Sequence, residues 1–282
     1  MKCSHATIAA LLVTAFSAAQ SAPVVFASAG DAPANITGSV TSFRAALGSL
    51  NPNVLGSFGS GRREINWDGV PDAFSAPNAL PATFFNVNSP RGVVFSTPGT
   101  GFQVSANAGI SAVEFGNINP TYPTLFETFS PQRLFTAVGS NIMDVTFFVP
   151  GSTTPATVSA FGAVFSDVDL PSVTSLQFFG MGNNSLGTFF APSAAGNETL
   201  SFVGVLFNAG EQVGRVRITS GNTIPGANES AAADVVVMDD FIYAEPISTV
   251  AAIPEPETYA LMLAGLGAVA LFSRRRKQKG GA

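Results

Sequence analysis

Leu200–Thr219 reads LSFVGVLFNAGEQVGRVRIT, and this stretch decides the fold. Two apolar runs rich in Val, Phe and Ile are divided by Asn208-Ala209-Gly210-Glu211-Gln212, a polar cluster suited to a turn. In the second run Val216 and Ile218 fall on one side, Arg215 and Arg217 on the other. That period of two is the mark of a half-buried strand. The pattern recurs in both directions. Strands are expected at Leu134–Thr136, Met143–Val149, Ala156–Ser166, Val173–Phe179, Leu186–Ala191, Leu200–Phe207, Val213–Thr219 and Asp234–Tyr243. Clusters such as GMGNNS at 180–185 separate them. Short strands at near-regular spacing predict an all-β fold, a β-sandwich of jelly-roll-like form, with its regular strands over 133–244.

Upstream, residues 36–131 read as a loop-rich part of the same secreted domain, which spans 30–246. A short helix is expected at Ser42–Gly48, where Ser42 can cap FRAAL and Gly48 can end it. Gly92–Val104 reads as a hairpin that turns at Thr97-Pro98-Gly99-Thr100-Gly101. No long helix is expected in this domain, and no repeat of solenoid or propeller length is visible.

Composition narrows the chemistry. The 282 residues suffice for a sizeable core, and the chain carries 25 Phe against three Tyr and one Trp. Few charges, many aromatics, 28 Gly and 19 Pro fit short strands joined by tight turns better than disorder. From Gly30 to Ile253 there are seven Arg and sixteen Asp plus Glu, a net charge of −9. Such a surface repels nucleic acid, and no basic stripe interrupts it.

The two ends read as targeting segments. Residues 1–29 form a signal peptide: Lys2 gives the positive start, Ala6–Ala19 the apolar run, and Ala27-Ser28-Ala29 an A-x-A cleavage site. A cut after Ala22 is the alternative, with Pro23 following the scissile bond. The apolar run is shorter than the roughly 20 residues of a spanning helix. After a linker at 247–253, residues 254–279 form the second segment. Pro254-Glu255-Pro256 is rigid and extended. Tyr259–Phe272 is an apolar helix candidate that would hold the chain in the membrane before processing. Arg274, Arg275, Arg276 and Lys277 follow and would stay cytoplasmic. At about 1.5 Å per residue that helix reaches only ~21 Å, against a hydrocarbon core of ~30 Å. A short anchor behind a rigid motif suits a processing signal.

This tail, PEPETYALMLAGLG followed by a basic cluster, resembles the PEP-CTERM sorting domain of Gram-negative bacterial proteins. The resemblance implies export through the inner membrane, recognition near the Pro-Glu-Pro motif by an exosortase, a membrane-embedded protease or transpeptidase, and delivery to the envelope or extracellular matrix of an exopolysaccharide-producing bacterium. It covers about a tenth of the chain. The middle of the chain also resembles domains of other exported PEP-CTERM proteins, with Asp167-Val168-Asp169 midway and Asp239-Asp240-Phe241-Ile242-Tyr243 in the last strand. No activity follows from that second likeness.

The only Cys and the only His are Cys3 and His5, both inside the signal. Thiol nucleophiles, His-based triads and His-ligated zinc or iron are therefore excluded from the mature chain. Carboxylate chemistry and oxygen-ligated cations remain. Glu64 and Asp68 flank Trp67 in GRREINWDGVP, a pair a glycan hydrolase could use across a gap of about 5–9 Å. The bland reading places Trp67 in the core and Arg62, Arg63, Glu64 and Asp68 in a polar network. A cation site has more support. Asp167 and Asp169 sit at i and i+2, on one face of a strand. In VVVMDDFIY, alternation forces either Asp239 or Asp240 onto a buried apolar face, where an unpaired charge is costly. Asp167, Asp169, Asp239 and Asp240 are therefore candidate ligands for calcium, with exposed strand-end charges as the alternative.

The expected function is that of a non-enzymatic envelope or matrix protein sorted through its tail. The alternatives are a carbohydrate-binding module for exopolysaccharide, with calcium as a structural ion, and a carboxylate-dependent glycan hydrolase. One Trp and few Tyr disfavour the sugar-binding reading.

Overall fold

The computed structural model describes residues 22–249 and 264–266. Strand β1 (Val24–Gly30) leads into helix α1 (Pro33–Leu47), then β2 (Arg62–Ile65), the one-turn helix α2 (Phe84–Val87), β3 (Val93–Ser96) and β4 (Gly101–Val104). The regular strands follow: β5 (Phe135–Val138), β6 (Ile142–Phe147), the two-residue β7 (Ala156–Thr157), β8 (Ala160–Ser166) and β9 (Ser175–Gly180). Then come β10 (Ser185–Phe190), β11 (Leu200–Leu206), β12 (Val213–Thr219), β13 (Val237–Ala244) and β14 (Ile247–Ser248). The chain divides into two compact units, Met1–Ile247 and Ser248–Ala282. In the second, Ala264–Leu266 is helical and exposed.

Two antiparallel sheets form an all-β sandwich. The larger runs β1-β11-β8-β13-β5-β4, with β2 pairing the far part of β13; the smaller runs β10-β9-β12-β6-β3. Every residue of β8 and β13 is buried. That is why AFGAVFS reads as a continuous apolar run and not as an alternation: in this sheet both faces of the central strands are covered. The smaller sheet keeps one wet face. Arg215 and Arg217 of β12 lie on it and share Asp144 of β6, each at 2.9 Å, while Val216 and Ile218 are fully buried. An aromatic cluster fills the space between the sheets. Trp67 stacks on Phe135 with centroids 3.9 Å apart and meets Phe241 edge-on at 5.1 Å.

The strands expected from alternation are present with ends shifted by a few residues, except that Ala156–Ser166 is broken into β7, which pairs with β14, and β8, which lies in the larger sheet. Two expectations in the N-terminal part are overturned. The first is the absence of a long helix: α1 has 15 residues and starts nine residues before Ser42. Its propensity is poor (Gly38 and four β-branched residues), and no side chain caps it, so a local reading misses it. What stabilises it is one face: Ile36, Val40, Phe43 and Leu47 are buried at helical spacing against the larger sheet. Phe43 rests over Gly162 and Gly204, which face each other across β8 and β11. A Cβ on either glycine would come within 3.0 Å of the Phe43 ring or nearer, so their bare backbones form its seat.

The second correction concerns Gly92–Val104. It is not a hairpin, because β3 pairs with β6 in one sheet and β4 with β5 in the other. The four-residue link, 97–100, crosses between sheets. Gly99 packs against the backbone of residues 138–140, where a Cβ would come 2.2 Å from the Val138 carbonyl oxygen. Residues 36–131 as a whole are therefore less of a loop than expected, since they give strands to both sheets.

The expected cleavage site falls within a strand of the uncut chain. Ala27-Ser28-Ala29 lies inside β1, whose residues Val24–Gly30 oppose Leu206–Leu200 of β11 one for one. The small side chains of this site also suit the packing around it. α1 folds back over this strand, Ser39 Oγ donates to the Ala27 carbonyl, and a Cβ on Gly30 would strike Asn35. The remainder of the expected signal (1–21) and most of the tail, including Pro254, Glu255, Pro256 and Arg274–Lys277, lie outside the described residues. Among the described residues no helix is long and apolar enough to cross a membrane, which says nothing of β-barrels.

Candidate metal centre

Strand β8 ends at Ser166, and the backbone turns at once: Asp167 has φ +70°, a left-handed conformation uncommon for a residue with a side chain. Its N–H still donates to the Thr199 carbonyl at 2.8 Å, so the turn is fastened to the sheet. Val168 is buried, and Asp169 accepts the Gly196 N–H at 2.9 Å. The loop between β12 and β13 folds against this turn. Its Asp234 accepts the Leu170 N–H at 3.0 Å through Oδ2, and its Glu229 accepts the Val235 N–H at 3.4 Å through Oε1.

Asp167, Asp169 and Glu229 each bring a carboxylate oxygen within 4.8 Å of the others. Asp167 is fully buried, yet neither of its oxygens has a hydrogen-bond partner; Glu229 Oε2 and Asp234 Oδ1 are likewise without one. Among the described residues no Arg forms an ion pair with any of the four. Burial pushes the Asp167 carboxyl far above the usual carboxylate range, and nearby Glu229 adds to the shift. Burial raises Glu229 and Asp234 as well. Four acids converge with nothing in the protein to neutralise them.

Of the four acids singled out in the sequence, Asp167 and Asp169 come together, but through a turn and not through alternation along a strand. Asp239 and Asp240 do not join them. The pairing of β13 with β8 shifts between Met238 and Phe241, so a bulge turns both adjacent acids inward. This happens opposite Val164, before β8 ends at Ser166 and turns at Asp167. There Asp239 Oδ2 accepts the Phe129 and Ser130 N–H groups at 2.6 and 3.2 Å. Ser130 Oγ lies 2.7 Å from Asp240 Oδ1, and Arg44 reaches Asp240 Oδ2 at 3.1 Å. Burial raises both carboxyls; Asp240 adds to the rise at Asp239, while Ser130 and Arg44 oppose it at Asp240. This second cluster is satisfied from within the protein.

Glu229 and Asp234 were not anticipated. The available signal was two acids in SGNTIPGANESAAAD, a loop otherwise free of charge and placed directly before the last long strand. Around Trp67 the bland reading holds. Trp67 is fully buried, and its Nε1–H donates to the Asp239 carbonyl at 2.8 Å. Glu64 is gripped by Arg44 and Arg62 at 2.7 and 2.6 Å. Asp68 accepts the Gln132 and Arg133 N–H groups at 2.8 and 3.2 Å.

Against known families, residues 252–277 match the PEP-CTERM protein-sorting motif. The protein thus carries the sorting signal of an exported protein, which implies processing by an exosortase and placement at the cell surface or outside the cell. No curated protein and no solved structure matches the chain.

Proposed function

We propose that the protein is an envelope or extracellular-matrix component, cut at both ends during export, whose sandwich acts by structure or binding and not by catalysis. The observation that carries this reading is the sorting motif at 252–277. Three features support a non-catalytic sandwich. Glu64 and Asp68 are engaged in structural contacts. The cleft beside Trp67, lined by Asn66, Val70, Phe74, Phe84, Phe85 and Arg91 among others, contains no carboxylate. Trp67, Tyr122 and Tyr243 are all buried, which removes the usual sugar-stacking platforms among the described residues. The jelly-roll-like reading of the sandwich is supported by the path of the chain, which changes sheet at most connections after β3.

Replacing Pro254-Glu255-Pro256 with three alanines is the direct test of sorting. The variant is expected to accumulate in the inner membrane with its tail intact, while the parent is found in the envelope or medium without the Tyr259–Phe272 segment. Mass spectrometry of both fractions decides it; an intact tail in the major parent species overturns tail removal.

A cut upstream of Val24, such as the alternative after Ala22, is supported by the β1–β11 pairing, because cleavage after Ala29 would strip β1 from the larger sheet and expose the β11 edge. Amino-terminal sequencing of the exported protein is expected to retain Val24–Gly30. A mature start at Gly30 would show that β1 is dispensable.

A further inference from the structure

We infer that Asp167, Asp169 and Glu229, backed by Asp234, form a calcium site that ties the β8–β9 loop to the β12–β13 loop. The acid cluster alone would not establish this, since surface acids often gather without an ion. The decisive observation is Asp167: it is completely buried, aimed into the cluster, and unpartnered at both oxygens. A buried carboxylate that meets only other carboxylates is unfavourable unless a cation completes the set. The second cluster of this same protein makes the contrast. Asp239 and Asp240 are just as buried, and there the chain supplies two N–H groups, a hydroxyl and Arg44. At Asp167 it supplies only another acid, Glu229, close enough to share a proton, and no N–H, hydroxyl or cation.

Geometry and chemistry select the ion. Ligands on opposite sides of a calcium ion at about 2.4 Å are about 4.8 Å apart, so the three oxygens fit within one coordination shell. Asp167 offers two free oxygens, while Glu229 Oε2 and Asp234 Oδ1 offer one each. Asp169 adds its second oxygen. Water completes the six to eight ligands that calcium takes, and it can enter because Asp169 and Glu229 are only partly buried. All donors are hard oxygens. With Cys3 and His5 both in the export signal, nothing in the sandwich favours zinc or copper. Irregular loop-borne carboxylates suit calcium better than magnesium, which demands a near-ideal octahedron and keeps its waters. β8 and β13 belong to one sheet, β9 and β12 to the other. The ion therefore fastens two crossings between the sheets at one end of the sandwich.

The test uses the exported protein, stripped with chelator and shown to be metal-free by elemental analysis. Calcium is expected to bind at one equivalent. At a hundredfold excess over its dissociation constant it is expected to raise the melting temperature by about 5–10 °C. Asp167→Asn and Glu229→Gln are expected to weaken binding more than about tenfold, because each removes ligand charge. In chelator, Asp167→Asn is expected to melt no lower than the parent, since without the ion it replaces a buried carboxyl that has no donor in the chain; this also shows that the variant folds. Asp239→Asn and the exposed-site control Asp31→Asn are expected to keep the calcium response. Unshifted melting of metal-free protein, unchanged affinity in Glu229→Gln, or an equal response to magnesium at the same concentration would each overturn the assignment.

Discussion

Glu245→Gln is expected to lower the melting temperature by about 6–20 °C, one of the two largest effects of any single substitution considered for this protein. Arg63 and Glu245 are both almost completely excluded from water and meet in a two-pronged pair, Nε to Oε2 at 2.7 Å and Nη2 to Oε1 at 2.9 Å. The remaining guanidinium protons reach the carbonyls of Pro52, Pro90 and Gly56. Glu245 also accepts from Asn51 and from the Phe58 N–H. The pair thus anchors the segment around 51–58 to the end of β13. Glutamine keeps the shape but removes the charge and turns an N–H₂ toward guanidinium donors. Breaking a buried pair from one side costs about 3–5 kcal/mol, because the other charge remains buried and uncompensated; in a domain of this size each kcal/mol is worth about 2–4 °C. The double variant Arg63→Met/Glu245→Leu is expected to lose clearly less than the sum of the two single changes. Calorimetry of the four proteins checks this. Additive losses would mean that the two side chains contribute independently.

Trp67→Ala is expected to be comparably damaging, at about 3–5 kcal/mol. The indole is fully buried among Phe85, Phe95, Phe135 and Phe241, and it contributes both ring contacts and one hydrogen bond to the core. Trp67→Phe separates the two contributions. It keeps an aromatic ring and leaves the Asp239 carbonyl without its donor, at a cost of about 1–3 kcal/mol. Because the protein has one Trp, intrinsic fluorescence follows this core directly, and the parent emission is expected to shift red only on global unfolding. A melting temperature within about 2 °C of the parent in Trp67→Ala would place the side chain outside the core, since changes that small belong to surface positions.

Arg63 and Trp67 both stand in GRREINWDGVP, and their fates show where local reading ends. That Trp67 is a core residue could be read from the scarcity of large aromatics other than Phe. That Arg63 would be the buried arginine, while its neighbour Arg62 pairs with Glu64 at the margin, could not. Strand alternation allows one of two adjacent arginines to face inward, but only the arrival of Glu245, 182 positions later, makes that orientation affordable.

The same division runs through the whole molecule. Sequence alone determined the sorting motif at 252–277, because a Pro-Glu-Pro, an apolar run and a basic cluster are recognised through local chemistry. It determined the run of strands from Phe135 to Ala244, because period-two burial is written into neighbouring residues. It also determined that Asp167 and Asp169 would be neighbours. Tertiary structure alone decided that α1 forms on a weak helical sequence, since its stability comes from the seat made by Gly162 and Gly204. It decided that Ala27-Ser28-Ala29 belongs to a strand, and that VVF and FQV part to different sheets. And it decided which acids meet. Asp239 and Asp240 are satisfied by Ser130 and Arg44, whereas Asp167 is joined by Glu229 and Asp234 from a loop some sixty residues away. Charges buried far apart in sequence are stabilised or left wanting by partners that only the packed chain brings within reach, and no local pattern records that meeting.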